Sequence, residues 1–170
     1  MTSKIVGAVF ILLGCGTIGM LAAVYKVREE HSLRELTSVL DYMICDLQYR
    51  MTPLPDLCRC TAMQTKGRIQ DFFMALNQEL ENQIAPDVNC CVHAALEQTS
   101  DIPYSTRDAL SQMGQTLGRF DIEGQIRSLE GIKAYGLKKL EVLESNRDVR
   151  LRSYKTLGLC AGAALAILFL

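Results

Sequence analysis

The sequence has few aromatic side chains and contains no run of basic residues. Phe, Trp and Tyr make up 6% of the 170 residues, tryptophan is absent, and the formal net charge is −1. Surfaces that bind nucleic acid cluster Lys and Arg, and those that bind single strands add aromatic side chains on which bases stack. The composition therefore gives no indication of nucleic-acid binding.

The sequence also lacks the residue patterns of common catalytic and phosphate-binding sites. It has two histidines, His31 and His93, and neither has a carboxylate or nucleophile at a spacing typical of a catalytic set. No segment alternates apolar and polar residues over a strand length, so no strand precedes a glycine-rich phosphate loop. We therefore expect no enzyme, no cofactor and no small-molecule substrate.

Cysteine pairs offer one candidate for a metal site. Cys58-x-Cys60 and Cys90-Cys91-x-His93 could together supply zinc ligands. However, Cys-x-Cys is not the usual zinc spacing, and residues i and i+2 of a helix point apart. We therefore predict free thiols and no metal.

Two uncharged segments flank a polar middle part. The first runs from Ile5 to Tyr25 and has 21 residues, and the second runs from Thr156 to Leu170 and has 15. A bilayer core about 30 Å thick needs roughly 20 apolar helical residues, so the second segment falls short. We predict an N-terminal transmembrane helix over residues 1–28, a helical part over 29–152, and a short C-terminal transmembrane helix over 153–170.

Basic residues near these segments predict their orientation. Nine Lys and Arg residues lie on the side of the middle part, and only Lys4 lies on the far side. The positive-inside rule therefore places the middle part in the cytoplasm. Seven cysteines, with Cys15 and Cys160 inside the apolar segments, form a poor disulfide framework and agree with a reducing compartment.

Other interpretations of the N-terminus are weaker. A cleaved signal peptide needs a small-x-small site, which Ala22-Ala23-Val24 does not provide. Leu12-Leu13-Gly14-Cys15 resembles a lipoprotein box, but the apolar run continues ten residues beyond Cys15, where a lipoprotein would turn polar. An uncleaved anchor is the preferred prediction, and a helical lipoprotein remains an alternative.

Small residues recur four apart in both apolar segments. Such rows let helices approach closely in lipid, although small residues are also simply common in membrane helices. Packing between the segments or between protomers would use the small residues Gly19, Ala23, Gly158 and Gly162.

Apolar residues at spacings of three and four predict a series of amphipathic helices in the middle part. Ser32 and Glu35 have the spacing of a capping box, so a new helix could begin there. No Gly or Pro separates Tyr25 from Arg50, however, and this favours one unbroken helix, nearly 40 Å long at about 1.5 Å per residue. The predicted fold class is all-α. We expect an antiparallel bundle of about six helices, anchored by the N- and C-terminal membrane helices.

Turn and capping residues predict where the helices begin and end. Thr52 is the expected N-cap of the second helix, with Pro53 at its first position. Ser105 is expected to cap the fifth helix, Gly118 to follow it, and Asp121 to cap the sixth.

Two glycines lie inside the predicted last helix. Gly131 and Gly136 each cost about 1 kcal/mol relative to alanine in helix propensity. Close packing against a neighbouring helix would explain both residues.

Three strings carry a resemblance to a known family. They run from Tyr49 to Pro55, from Leu117 to Gln125, and from Tyr154 to Gly162. In this order and spacing they resemble the stage III sporulation protein AB family of endospore-forming Firmicutes. The middle part is also similar to one cytoplasmic helical domain of the platform proteins of type II secretion and type IV pili.

The resemblance implies a structural platform subunit of the sporulation channel between mother cell and forespore. The implied location is the outer forespore membrane, with the bulk of the chain on the cytoplasmic, mother-cell side. The implied partners are a cytoplasmic ATPase and other membrane subunits of the sporulation complex. A general assembly factor of type II secretion or pili, in a non-sporulating setting, is the alternative.

The first two strings supply the residues that we expect to contact partners. These candidates are Tyr49, Thr52, Pro53, Leu54, Pro55, Asp121 and Gln125. Both strings also have purely structural interpretations. The first could be a rigid turn with Leu54 packed inward, and Asp121 could act only as a helix cap.

The chain departs from the family pattern in two places. Members often carry a tryptophan in a middle helix, and Val92 stands near that place here. We interpret this as a core substitution. Phe120 stands where a small polar residue is usual, which weakens the inference of a site in that string.

Overall fold

Every regular element that the structure describes is a helix. The computed structural model describes residues 2–82 and 87–169, and the side chains of residues 24–82 and 87–145. The helices are α1 (Thr2–Tyr49), α2 (Leu54–Gln64), α3 (Gly67–Asn82), α4 (Val88–Gln98), α5 (Tyr104–Thr116) and α6 (Ile122–Phe169). The predictions of an all-α fold and of an unbroken first helix are confirmed.

The chain divides into two compact units. One comprises Met1–Arg28 with Glu141–Leu170, and the other, which we call the bundle unit, comprises Glu29–Leu140. The side chains of the predicted packing residues Gly19, Ala23, Gly158 and Gly162 lie outside the described part, as do those of most of the two predicted membrane helices. Within the described residues, no helix combines the length and the apolar character that a membrane span requires.

Helices α1 and α6 run antiparallel in the bundle unit. Lys133 of α6 forms an ion pair with Asp41 of α1. Thr37, four residues before Asp41 in α1, faces Gly136, three residues after Lys133 in α6, so the two helices run in opposite directions. A Cβ atom on Gly136 would lie 3.0 Å from Thr37 Cγ2, so close packing explains this glycine. The same explanation is wrong for Gly131, which has no side-chain neighbour within 4 Å of its Cβ position.

The remaining helices pack in chain order, α2 on α3, α3 on α4, and α4 on α5. Their shared core is formed by apolar side chains at helical spacing, and Phe72 and Phe73 meet edge to face with ring centroids 5.2 Å apart. Val92 is fully buried, and a Cβ atom on Gly114 would lie only 2.8 Å from Val92 Cβ. The prediction that Val92 is a core residue is confirmed.

The loops of the bundle unit whose residues the structure describes lie at its two ends. We call residues 50–53 and 117–121 the apical loops, and residues 65–66 and 99–103 the basal loops. The basal loops lie beside the beginning of the bundle-unit part of α1, where the Lys66 N–H donates to Glu35 Oε1 at 3.0 Å. A second basal contact is the hydrogen bond that the Ser105 hydroxyl donates to the Glu29 carboxylate.

Prolines, and not hydroxyl side chains, begin α2 and α5. Pro53 and Pro103 occupy the N-cap positions with ψ near 145° and 148°, without a side-chain capping bond. Their carbonyls accept the first helical hydrogen bonds, from Leu57 N and Arg107 N, both at 2.9 Å. The predicted caps Thr52 and Ser105 are therefore wrong: a proline held in extended geometry already provides the carbonyl that starts each helix.

Candidate functional site

The first two strings meet at the apical end of the bundle unit. Residues from both strings, with Leu47 of α1, line an open pocket of about 150 Å³. The lining residues are Leu47, Met51, Thr52, Leu54, Gly118, Ile122 and Gln125. Of the seven predicted partner contacts, the pocket brings together Thr52, Leu54 and Gln125. Tyr49, Pro53, Pro55 and Asp121 are not among its lining residues.

Met51 has an unusual backbone where α1 ends. The N–H groups of Arg50 and Met51 both donate to the Asp46 carbonyl oxygen, at 2.8 and 3.1 Å. Met51 then adopts φ +52°, in the left-handed region. A side chain in that region costs on the order of 1–2 kcal/mol relative to glycine. This conformation was not predictable from the residue type, because Gly and Asn are the usual residues there.

The first turn of α6 is organised by Asp121 and Gln125. Asp121 Oδ1 accepts a hydrogen bond from the Gly124 N–H at 3.1 Å, which is the geometry of a helix N-cap. Gln125 Nε2 donates back to the Phe120 carbonyl at 2.8 Å. A Cβ atom on Gly124 would lie 2.7 Å from Asp121 Oδ1, so the turn requires glycine there. The predicted capping role of Asp121 is confirmed.

The loop before α6 is fastened to the start of α4. Gly118 has φ +75°, and a Cβ atom on it would lie 2.8 Å from Val88 Cγ2. The Arg119 guanidinium lies 2.6 Å from Asp87 Oδ2. Its hydrogen bond and charge lower the pKa of Asp87 below the usual value for aspartate. Two neighbouring residues of the loop, Gly118 and Arg119, are therefore held against the start of α4.

Apolar side chains are exposed around the pocket. We call the four residues Tyr49, Met51, Phe120 and Ile122 the apical patch; their exposed fractions are 78%, 64%, 54% and 38%. Leu54 is half-buried and packs against the core, as the structural interpretation of the turn expects, while it also lines the pocket. Exposed apolar surface of this kind is typical of an interaction site.

Charged side chains near the patch are mostly paired within the chain. Arg59 lies 2.9 Å from Asp56 Oδ1, and Arg119 binds Asp87. Arg50 lies 3.8 Å from Oδ1 of the buried Asp46. The other oxygen of that carboxylate, Oδ2, has no hydrogen-bond partner among the described residues.

The five thiols of the bundle unit differ in exposure, and Cys60 is intermediate between the buried and the exposed ones. Burial raises the pKa of Cys58 to about 12, and burial together with the nearby Glu79 carboxylate raises that of Cys91. Cys45 and Cys90 are exposed. In the part of the chain that the structure describes, no three His, Cys, Asp or Glu side chains converge on a possible metal position.

Comparisons with known proteins agree on one family. The family model for stage III sporulation protein AB matches residues 4–170. Stage III sporulation protein AB of Bacillus subtilis (strain 168) is 25% identical over 174 residues, which cover 98% of this chain and 99% of that protein. A solved structure of stage III sporulation protein AB (SpoIIIAB) matches with a TM-score of 0.63 at 19% identity, covering 72% of this chain and 98% of that chain. The chain therefore belongs to the stage III sporulation protein AB family, a family of structural sporulation proteins and not a known family of enzymes.

Proposed function

We propose that the chain is a membrane-anchored platform subunit of the sporulation channel between mother cell and forespore. Its predicted terminal helices hold it in the outer forespore membrane, and the bundle unit lies on the cytoplasmic, mother-cell side. The apical patch docks a cytoplasmic ATPase, and other membrane subunits of the complex contact the rest of the chain. Family membership supports the role in sporulation, and the apical patch supports the docking role.

The observation that carries the docking role is the exposure of the apical patch at the meeting point of the two strings. Tyr49 and Phe120 leave large aromatic surfaces in water, where neither stabilises the core. Pro53 and Pro55 restrict the adjoining turn, so little conformational entropy remains to be lost when a partner binds. Aromatic side chains on a preorganised surface are the usual centres of protein interfaces.

Charge placement supports the cytoplasmic side. Nine basic residues flank the predicted membrane helices on the side of the bundle unit, against one beyond them. By this rule the bundle unit belongs on the cytoplasmic side of the membrane.

The docking role is tested by co-purification of the full chain with the secretion-type ATPase of the same organism. Changing Tyr49→Ser together with Phe120→Ser should weaken binding at least tenfold, because truncated aromatic anchors typically cost more than about 1.4 kcal/mol. Met63→Ser is the matched control, since Met63 is 75% exposed on α2, away from the patch. Equal retention of the ATPase by wild type and double variant would remove the patch from the interface.

The orientation is tested by thiol labelling in intact sporulating cells. Cys45 and Cys90 are exposed, so a membrane-impermeant reagent should label them only after the membrane is permeabilised. Labelling of either thiol in intact cells would contradict the cytoplasmic placement.

A further inference from the structure

We propose that the pocket at the apical end, which we call the apical pocket, receives one apolar side chain of the docking partner. Met51 is the principal contact residue of this pocket. The partner carries basic residues on either side of the apolar side chain that enters it. The inference rests on the proposed docking function and specifies what the partner presents.

The backbone of Met51 is the first argument. Its φ of +52° is a conformation that glycine adopts without penalty and that methionine adopts at a cost. Burial in the core does not offset this cost, because most of the Met51 side chain is exposed. The part that is covered faces the pocket, together with Leu47, Leu54 and Ile122. A bulky side chain in this place is therefore explained by a contact that it makes outside the chain.

The size and lining of the pocket define the group that it accepts. Its volume is about 150 Å³, and an apolar cavity of about that size holds a benzene-sized group. Leu47, Met51, Leu54 and Ile122 provide an apolar wall, while Thr52 and Gln125 provide polar groups. A leucine or phenylalanine side chain matches this shape and chemistry. Methionine is also a side chain that adapts readily to an incoming apolar group.

The charges around the pocket indicate what surrounds that side chain in the partner. Arg50 and Arg119 are each paired with an aspartate of the chain. Asp121 and Glu123, beside Ile122, form no ion pair with any described residue. The nearest further cation on α6 is Arg127, one turn beyond Glu123. The edge of the pocket therefore has an excess of negative charge, which complements Lys or Arg in a partner.

A soluble partner fits this pocket better than a second copy. The apical end of a second copy would bring the same carboxylates, Asp121 and Glu123, to the edge of the pocket, so that like charges would face each other. A partner with Lys or Arg around its apolar side chain meets these carboxylates with opposite charge.

The test measures binding of the purified ATPase to the full chain in detergent, with thermal unfolding of each variant. Met51→Gly should raise the melting temperature, because it removes the backbone penalty, and it should weaken ATPase binding about tenfold. Ile122→Ser, a second change in the pocket wall, should weaken binding by a similar factor. Glu123→Lys should weaken binding about fivefold at low salt and by less at high salt.

Two control variants match these changes in chemistry. Met63→Ala removes an exposed methionine of α2, and Glu97→Lys reverses an exposed charge of α4. Both residues lie outside the pocket lining, so both variants should bind the ATPase as the wild type does.

The outcomes separate this inference from the proposed function. A wild-type chain that does not bind the ATPase contradicts both. If the wild type binds the ATPase and Met51→Gly and Ile122→Ser bind it equally well, the pocket is not part of the interface. Docking through another surface would then still be possible. If Met51→Gly and Ile122→Ser both weaken binding but Glu123→Lys does not, the proposal that the partner carries basic residues around its apolar side chain is wrong. A change in the self-association of the chain, without a change in ATPase binding, assigns the pocket to a second copy and overturns the proposal.

Discussion

The two ends of the bundle unit are built differently. At the basal end, polar groups tie the loops to neighbouring helices: the Ser105 hydroxyl bonds to Glu29, Lys66 N–H bonds to Glu35, and Arg107 donates to the Leu96 and Thr99 carbonyls. At the apical end, large apolar side chains remain exposed around an open pocket. At the basal end Tyr104, 76% exposed, is the large apolar side chain beside the loops, whereas the apical end exposes four such side chains around a pocket. The larger continuous apolar surface therefore lies at the apical end.

The backbone adds a second difference. Positive φ occurs at both ends, at Gly67 beside a basal loop and at Met51 and Gly118 in the apical loops. Only Met51 is not a glycine, and Gly118 lies against Val88, whereas nothing lies within 4 Å of the Cβ position of Gly67. A conformation of this kind persists only where the surrounding structure holds it in place. The apical loops are therefore expected to be stiff, and a stiff surface loses little entropy on binding.

The largest expected effect on stability comes from Gly118→Ala. The alanine would have to adopt a backbone conformation in the left-handed region, and its Cβ atom would lie 2.8 Å from Val88 Cγ2. We expect a loss of about 2–3 kcal/mol in the free energy of unfolding, measured by denaturant titration. Gly131→Ala is the matched control: nothing lies within 4 Å of its Cβ position, so it should gain up to about 1 kcal/mol. Equal effects of the two changes would contradict the close packing of the apical loop.

The next largest effect concerns the basal end. Ser105→Ala deprives the buried Glu29 carboxylate of a hydrogen-bond donor, which should cost about 1–2 kcal/mol. The control is Ser38→Ala, because the Ser38 hydroxyl bonds only to the Arg34 carbonyl on an exposed helix surface and its loss should cost less than about 0.5 kcal/mol. ATPase binding should not change with either variant. Loss of binding with Ser105→Ala at full stability would undo the contrast between the two ends.

The helical fold was predictable from local features. Apolar periodicity identified the helices, the absence of Gly and Pro before Arg50 predicted the unbroken α1, and Gly118 and Asp121 marked the ends of helices correctly. These features depend on residues within one or two helical turns of each other, so the local sequence is enough to predict them.

The features that the sequence did not reveal depend on contacts between distant segments. Ser105 was expected to cap a helix, but its partner Glu29 lies 76 positions earlier. The pocket joins residues 47–54 to residues 118–125, and no periodicity predicts that meeting. The resemblance identified the two strings, although it supplied Thr52 as a contact and omitted Met51.

A smaller effect separates the capping role of Asp121 from a role in binding. Asp121→Ala removes the acceptor for the Gly124 N–H and should cost about 0.5–2 kcal/mol. Asp121→Asn keeps an acceptor oxygen, so it should restore most of that stability. If Asp121→Asn also binds the ATPase as the wild type does, Asp121 contributes only a helix cap. Weaker binding by a fully stable Asp121→Asn would show that its charge contributes to the interface.

The last effect is absent at neutral pH and tests whether the core beside the apical pocket excludes water. Cys58 lies one turn into α2, and burial raises the pKa of its thiol from 9.0 to about 12. Below pH 9 the thiol is neutral in both the folded and unfolded chains, and the stability that it contributes is fully present. Above pH 9 the unfolded chain ionises first, so stability should fall by about 1.4 kcal/mol per pH unit until the folded thiol also ionises. Denaturant unfolding from pH 7 to pH 10.5 should therefore show a steeper alkaline loss for the wild type than for Cys58→Ala, while other titrating groups, including Tyr42, affect both proteins equally. If the free energy of unfolding falls equally with pH in the two proteins, water reaches Cys58, and solvent then penetrates the core below the apical pocket as well as the pocket itself.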